Sequence, residues 1–175
     1  MKINDKIYKF IDIEFYFFNK HHKDGYVLEH KRKIGEFEAH KYGVDISLGN
    51  SKESYGGILI KALKDEDNNI IIKSKIKNTI INNLIISKNI ISLVKKIKTT
   101  QYELIRTSRD KLGKIEVSKN KTNHYKSAKY RYVIYDSELF KSYKGKENIL
   151  HNSDLDRSDI IDLLGYELKN NNMIQ

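Results

Sequence analysis

The sequence predicts an α+β fold: a single domain over residues 1–175 with an antiparallel-rich, curved β-sheet, a hairpin and a few flanking helices. Three observations predict it. Residues 10–18 alternate apolar and polar with the period of a strand. Two short strand-like runs, 36–40 and 44–48, flank Gly43 as a hairpin would. Apolar residues recur at roughly helical spacing over 76–94, and Ser158 and Gly165 bracket a short helix near the C-terminus, so helices flank the strands rather than alternate with them. A chain of 175 residues is long enough for one real core and short for two.

In chain order, residues 2–9 form a short helix or a leading arm. Strand one, 10–18, places Ile11, Ile13, Phe15 and Phe17 on one face and Asp12, Glu14 and Tyr16 on the other. Antiparallel sheets commonly keep one face wet, and Asp12 takes that reading. Glu14 lies among aromatic residues on a very apolar strand. A charge buried there must be paired or used, which makes Glu14 the first candidate for chemistry. The loop that follows has turn chemistry at Asp24-Gly25 and then carries His30. The hairpin turns through Lys41-Tyr42-Gly43, with Gly43 supplying positive φ and Tyr42 at the tip.

Residues 49–57 read as a loop, and 58–63 as an apolar strand interrupted only by Lys61. A turn at 65–69 leads to 70–72, which can extend the sheet. Ile76, Ile80, Leu84, Ser87, Ile91 and Val94 give one or two helices with a break at 87–89. Residues 102–106 form a strand, 107–125 a long basic loop, and 129–135 a strand with Lys129, Arg131, Val133 and Tyr135 on one face. Asp136 or Ser137 caps a short helix through Phe140. Ser158 caps a second one that ends at Gly165. Residues 170–175 are a frayed tail.

Thirty-three Lys and Arg against 23 Asp and Glu leave a formal charge of +10. That suggests a polyanionic partner, usually nucleic acid. A chain rich in Lys, Asn and Ile also fits an AT-rich coding sequence, and both readings stand. The chain has no cysteine, which excludes disulfides, thiolate metal sites and cysteine nucleophiles. Its first residues lack a small-residue cleavage site, and no apolar run reaches the roughly 18–20 residues of a membrane span. The expectation is an intracellular protein, not secreted and without a membrane partner.

His21, His22, His30 and His40 with Asp24 match no standard zinc spacing, so neither a metal nor another cofactor is expected. His21 and His22 read as solvated loop residues, while His30 and His40 flank the hairpin. No phosphate-cradling glycine loop opens a helix, and no nucleophile elbow is present. What remains is a carboxylate on an apolar strand, histidines and aromatics after it, a Tyr at a hairpin tip and a basic surplus. A base-flipping enzyme needs such parts: a wedge, walls that stack on the extruded base, a carboxylate to activate water and cations for phosphates.

The order of these residues resembles the methylpurine-DNA glycosylase family, the alkyladenine glycosylases. Ile13-Glu14-Phe15-Tyr16 is similar to that family's first signature strand, Asp24 to His30 to its Asp…His segment, and Tyr42-Gly43 to its hairpin-tip pair. Leu59-Ile60-Lys61-Ala62-Leu63 resembles a strand ending Leu-Arg-Ala-Leu, with Lys in place of Arg. Ser108 to Gly113 and Lys129-Tyr130-Arg131-Tyr132 are looser versions of a Ser-x-Arg-x-Gly turn and a basic-Arg-aromatic strand. The resemblance covers about residues 10–63 and 102–135. The chain departs from the family in a shorter loop after His30, without a Thr-Pro-Arg element, in His40 for an aromatic wall and in Asp45 for an Asn.

The resemblance implies a DNA glycosylase of base-excision repair. It would flip an alkylated or deaminated purine from double-stranded DNA and hydrolyse its N-glycosidic bond, acting as a monomer. Glu14 would be the general base, and Tyr16, His30, His40 and Asp45 would line the substrate pocket. Tyr42 would be the wedge, and Lys61, Arg109 and Arg131 would contact DNA phosphates. The alternatives are a non-catalytic basic nucleic-acid-binding module of the same fold, and a basic protein-interaction domain.

Overall fold

The structure, a computed structural model, describes residues 1–3, 5–40, 43–72, 74–85, 91–92, 104–109, 125, 127–143 and 146–166. Its strands are β1 (Lys2–Ile3), β2 (Lys6–Ile7), β3 (Lys9–Asn19), β4 (His22–Lys23), β5 (Phe37–His40), β6 (Gly43–Asn50), β7 (Ser54–Lys64), β8 (Ile70–Ile72), β9 (Ile91–Ser92), β10 (Leu104–Thr107) and β11 (Arg131–Ile134). Its helices are α1 (Ser74–Ile85), α2 (Ser137–Ser142), α3 (Lys146–His151) and α4 (Arg157–Leu164). The class is α+β, as the sequence predicts.

The larger sheet runs β10-β11-β3-β7-β6-β5, with β4 added to β3 and β8 to β7, and each of its pairings is antiparallel. β3 and β7, the two eleven-residue strands, lie at its centre. Apolar residues sit on both faces of this sheet, and each face carries its own core. On one face Val44, Ile46, Ile60 and Leu63 pack with Ile76 and Ile80 of α1 and with Met1, Ile3 and Tyr8. On the other, Ile11, Ala62, Ile105 and Val133 pack with Leu139 and Phe140 of α2 and Ile149 and Leu150 of α3. Full burial of each Ile or Leu contributes about 1.5–3 kcal/mol, so two such clusters hold the sheet from both sides.

The register explains how residues from strand one reach both cores. Phe10 pairs with Leu63, Asp12 with Ala62 and Ile13 with Ile60, so Ile11 and Lys61 fall between register pairs. This irregularity slips the alternation by one. Ile11 therefore packs with Ala62 in the second cluster, while Phe10 packs with the first, against the expected grouping of Ile11 with Ile13, Phe15 and Phe17.

Several other expectations are corrected. Residues 2–9 are not a helix: β1 pairs with β2 and with β9, because Met1, Ile3 and Tyr8 are drawn into the core. Residues 49–57 are mostly strand, closed by a tight turn in which the Ser51 side chain and backbone bond to Ser54. Gly56-Gly57 serve close strand contact here rather than a loop. A Cβ on Gly56 would stand 2.2 Å from the Tyr16 carbonyl oxygen. Helical spacing extends in the sequence to Val94, but Ile91–Ser92 is strand. Its β-branched Ile suits both states, and pairing with β1 decides.

Asp136 caps α2 as expected, accepting from the backbone N–H groups of Glu138 and Leu139. The cap of α4 is Asp156, not Ser158, whose hydroxyl instead donates to Asp156. Gly165 ends that helix in the left-handed conformation. The short α3 had no sequence signal strong enough to predict it. Tyr42, positions 110–124 of the expected basic loop and the tail at 170–175 lie outside the described residues.

Candidate active site

Glu14 sits in a row that crosses the sheet. Arg131 on β11, Glu14 on β3, Leu59 on β7, Asp45 on β6 and Glu38 on β5 are successive partners. Paired residues of antiparallel strands share a face, so these side chains project together. With strands about 4.8 Å apart, the Glu14 and Asp45 backbones lie about 10 Å from one another. In the parallel row Tyr16 pairs with Gly57, and Gly57 with Ser47. The missing side chain at Gly57 keeps the face low between Tyr16 and Ser47.

Glu14 is 1% exposed. The Tyr16 hydroxyl donates to its Oε2 at 2.8 Å. Lys61 Nζ lies 3.6 Å and Arg131 Nη1 3.8 Å from its Oε1. Burial, and then the charge of Glu14, push the Tyr16 phenol far above its ordinary value, so it remains a protonated donor. Asp12, which the sequence suggests is solvated, is fully buried. Arg131 grips it through Nε at 2.9 Å and Nη2 at 2.6 Å, and the Tyr143 hydroxyl donates to its Oδ2 at 2.6 Å.

A second buried pair lies on the far side of Tyr16. Arg109 donates to Asp24 through Nη1 at 2.6 Å and Nη2 at 3.3 Å, with both side chains 0% exposed. It also donates to the carbonyls of Phe15 and Tyr125. Its guanidinium lies 4.6 Å from the Tyr16 ring centroid and near the rings of Tyr26 and Tyr130. Arg109 therefore covers one face of Tyr16. Arg109 and Arg131, expected at DNA phosphates, are both committed to buried carboxylates. Their forked, weakly hydrated guanidinium groups suit that bidentate role.

Gly43, at φ +154, pairs with His40 at the last register position of the hairpin, and a Cβ there would stand 2.9 Å from Leu59 Cδ1. His40 Nε2 lies 3.1 Å from Asp45 Oδ2, and that contact raises the imidazole pKa above its usual value, with burial opposing. His30 Nε2 bonds to the Gly56 carbonyl at 2.9 Å, while its Nδ1 accepts from the Arg32 N–H at 3.3 Å. Those two partners hold the His30 ring in place from both of its nitrogens. Gly56 adjoins Gly57, the partner of Tyr16, so His30 borders the same patch. His21 is exposed, as expected for a loop histidine. His22 is not solvated: it packs tilted against the Tyr125 ring, with centroids 4.1 Å apart, and burial lowers its pKa.

The fold thus gathers Glu14, Tyr16, Lys61, Asp45 and His40 on one face, with His30 at its border. It withdraws Arg109 and Arg131 into the frame. Asp12, Asp24 and Tyr143 complete that frame, a role the sequence did not assign to any of them. Their partners lie 85 to 131 positions away, and no local pattern marks such pairs. Among the described residues no group of three or more His, Asp and Glu is placed to hold a metal, and no helix is long and apolar enough to cross a membrane.

No protein-family model, curated protein or solved structure matches this chain.

Proposed function

We propose that this chain is a DNA glycosylase acting on an alkylated or deaminated purine extruded from duplex DNA. One observation carries the reading: a nearly fully buried carboxylate, Glu14, faces a phenol donor and a lysine on a patch bordered by histidines. Glu14 takes a proton from water as the water oxygen bonds to the sugar C1′. The C1′–N bond breaks, and its electron pair leaves with the purine. A purine alkylated at N3 or N7 is already cationic and departs neutral, whereas a deaminated purine departs as an anion and takes up a proton from solvent. Tyr16 and His40 supply ring surfaces for the base, and Asp45 an acceptor for its N–H groups. Lys61 acts on Glu14 rather than on a phosphate. Phosphate contacts fall instead to exposed cations such as Lys31 and Lys33, in keeping with the charge of +10.

A second reading has an observation of its own. Glu14 lies within ion-pair distance of Lys61 and Arg131. A buried ion cluster of that kind also serves to fix a sheet register. The chain would then be a basic nucleic-acid-binding module without catalysis.

The test uses duplexes with one 3-methyladenine or one hypoxanthine, and alkaline cleavage to count abasic sites. The wild type should release base, and Glu14→Gln should lose at least about 100-fold in rate. A wild type inert on both duplexes sinks the glycosylase reading. Salt-dependent binding by that inert protein supports the binding module.

A further inference from the structure

We infer that the buried Asp24–Arg109 pair is a positioning device for Glu14, acting through Tyr16. The inference rests on the glycosylase reading and deepens it. Arg109 is fixed from several directions: a bidentate carboxylate, two backbone carbonyls and three tyrosine rings surround it. One of those carbonyls belongs to Phe15, between Glu14 and Tyr16 on β3. One of those rings is Tyr16 itself, whose hydroxyl donates to Glu14. Asp24 is tied to its own turn by the Tyr26 N–H at 3.0 Å. The path therefore runs Asp24, Arg109, Tyr16, Glu14, each member buried or half-buried and each in direct contact with the next.

This arrangement changes the role of Tyr16. A ring with a guanidinium on one face cannot sandwich a base between both faces. Its hydroxyl is spent on Glu14, so its first task is to hold that carboxylate in one rotamer. Arg109 is too deeply buried to reach a phosphate, and its effect on the reaction must pass through Tyr16. Arg131 takes the corresponding place on the other side, pairing with Asp12 and lying against Glu14. Two arginines from the second half of the chain thus fix residues 12–16 of β3 from both ends.

The test is a double-mutant cycle of Arg109→Lys and Tyr16→Phe, read as single-turnover base release and, separately, as duplex affinity. Arg109→Lys alone should slow release about tenfold with affinity changed less than twofold. In the Tyr16→Phe background it should slow release by less than a further twofold. Effects that multiply, or a loss of affinity at unchanged rate, overturn the inference. A readout independent of activity is the ¹⁹F resonance of Tyr16 in protein labelled with 3-fluorotyrosine, assigned by its loss in Tyr16→Phe. Arg109→Lys should shift or broaden that resonance, and an unmoved line overturns the inference. If the wild type releases no base, the reaction reading fails and the resonance alone decides the coupling. Should Arg109→Lys not fold, Asp24→Asn carries the same expectations, since it loosens Arg109 while keeping the volume.

Discussion

Arg131 and Asp12 are 119 positions apart in sequence and meet as a bidentate pair, both side chains buried. The pair locks β11 onto β3 in the one register that also brings Arg131 to Glu14. It stands where apolar side chains would pack at least as well, since the desolvation of two charges offsets most of their attraction. Breaking it is another matter. Asp12→Ala takes the bidentate partner from a buried guanidinium, which keeps the longer contact to Glu14 at 3.8 Å, and removes the carboxylate that accepts from Tyr143. It should lower the unfolding free energy by about 3–5 kcal/mol in urea titration. Asp12→Leu combined with Arg131→Met should lose far less than the single change. Equal losses in the two proteins contradict this account.

Gly56 and Gly165 separate two effects of the same substitution. A Cβ on Gly56 would meet the Tyr16 carbonyl oxygen at 2.2 Å and Phe17 Cα at 2.9 Å, both backbone atoms that cannot swing aside. Gly56→Ala must push β3 from β7, at about 1–3 kcal/mol or more. At Gly165 the added Cβ meets nothing within 4 Å, and only the φ of +74 opposes it. Gly165→Ala should cost about 1–2 kcal/mol from the left-handed backbone alone. Thermal unfolding should rank Gly56→Ala as the worse of the two, and crystals of it should show a displaced strand.

His40 and Asp45 give the hairpin a pH dependence of known sign. The imidazole pKa is raised in the folded chain by Asp45, from about 6.5 when unfolded. A raised pKa means that the folded state binds the proton more tightly. Its stabilisation is complete below the unfolded value and is lost as pH climbs through the folded one. Glu38 adds to the effect and Lys77 opposes it. Stability measured from pH 5 to pH 8.5 should fall over the upper part of that range. Asp45→Asn should flatten the fall, and an unchanged slope in that variant rules the pair out as its source.

How much of this was legible follows from the range of the interactions. Period-two alternation marked β3, a continuous apolar run marked the second half of β7, and Gly43 marked the hairpin, because these signals act between near neighbours. Asp136 and Gly165 were readable for the same reason. The irregularity that sends Ile11 to the other core was not readable, because it needs Lys61 skipped on a strand fifty positions away. Glu14 and Tyr16 were identified together, but Lys61, Arg109 and Arg131 were all read as phosphate contacts, whereas each lies against a carboxylate. An arginine in a basic sequence looks like a phosphate ligand until its carboxylate is found. Asp12 and Asp24 hold those carboxylates, and a solvated face and a turn explained each of them locally.

Lys61 offers the sharpest separation between the frame and the DNA. Were it a phosphate contact, removing its charge would reduce the salt dependence of duplex binding by about 0.9 in the slope of log K against log salt. Its ammonium instead lies 3.6 Å from the Glu14 carboxylate, with the Lys61 side chain 22% exposed. Lys61→Met should therefore leave that slope within error of the wild type. It should slow base release and destabilise the fold, because Glu14 loses a cation in a buried setting. Lys61→Arg should restore stability in part, since the charge returns, while the planar fork cannot reproduce the point contact of an ammonium. Lys31→Ala with Lys33→Ala should do the reverse, flattening the salt slope with the fold intact. A flattened slope in Lys61→Met would return Lys61 to the DNA surface and remove it from the Glu14 cluster.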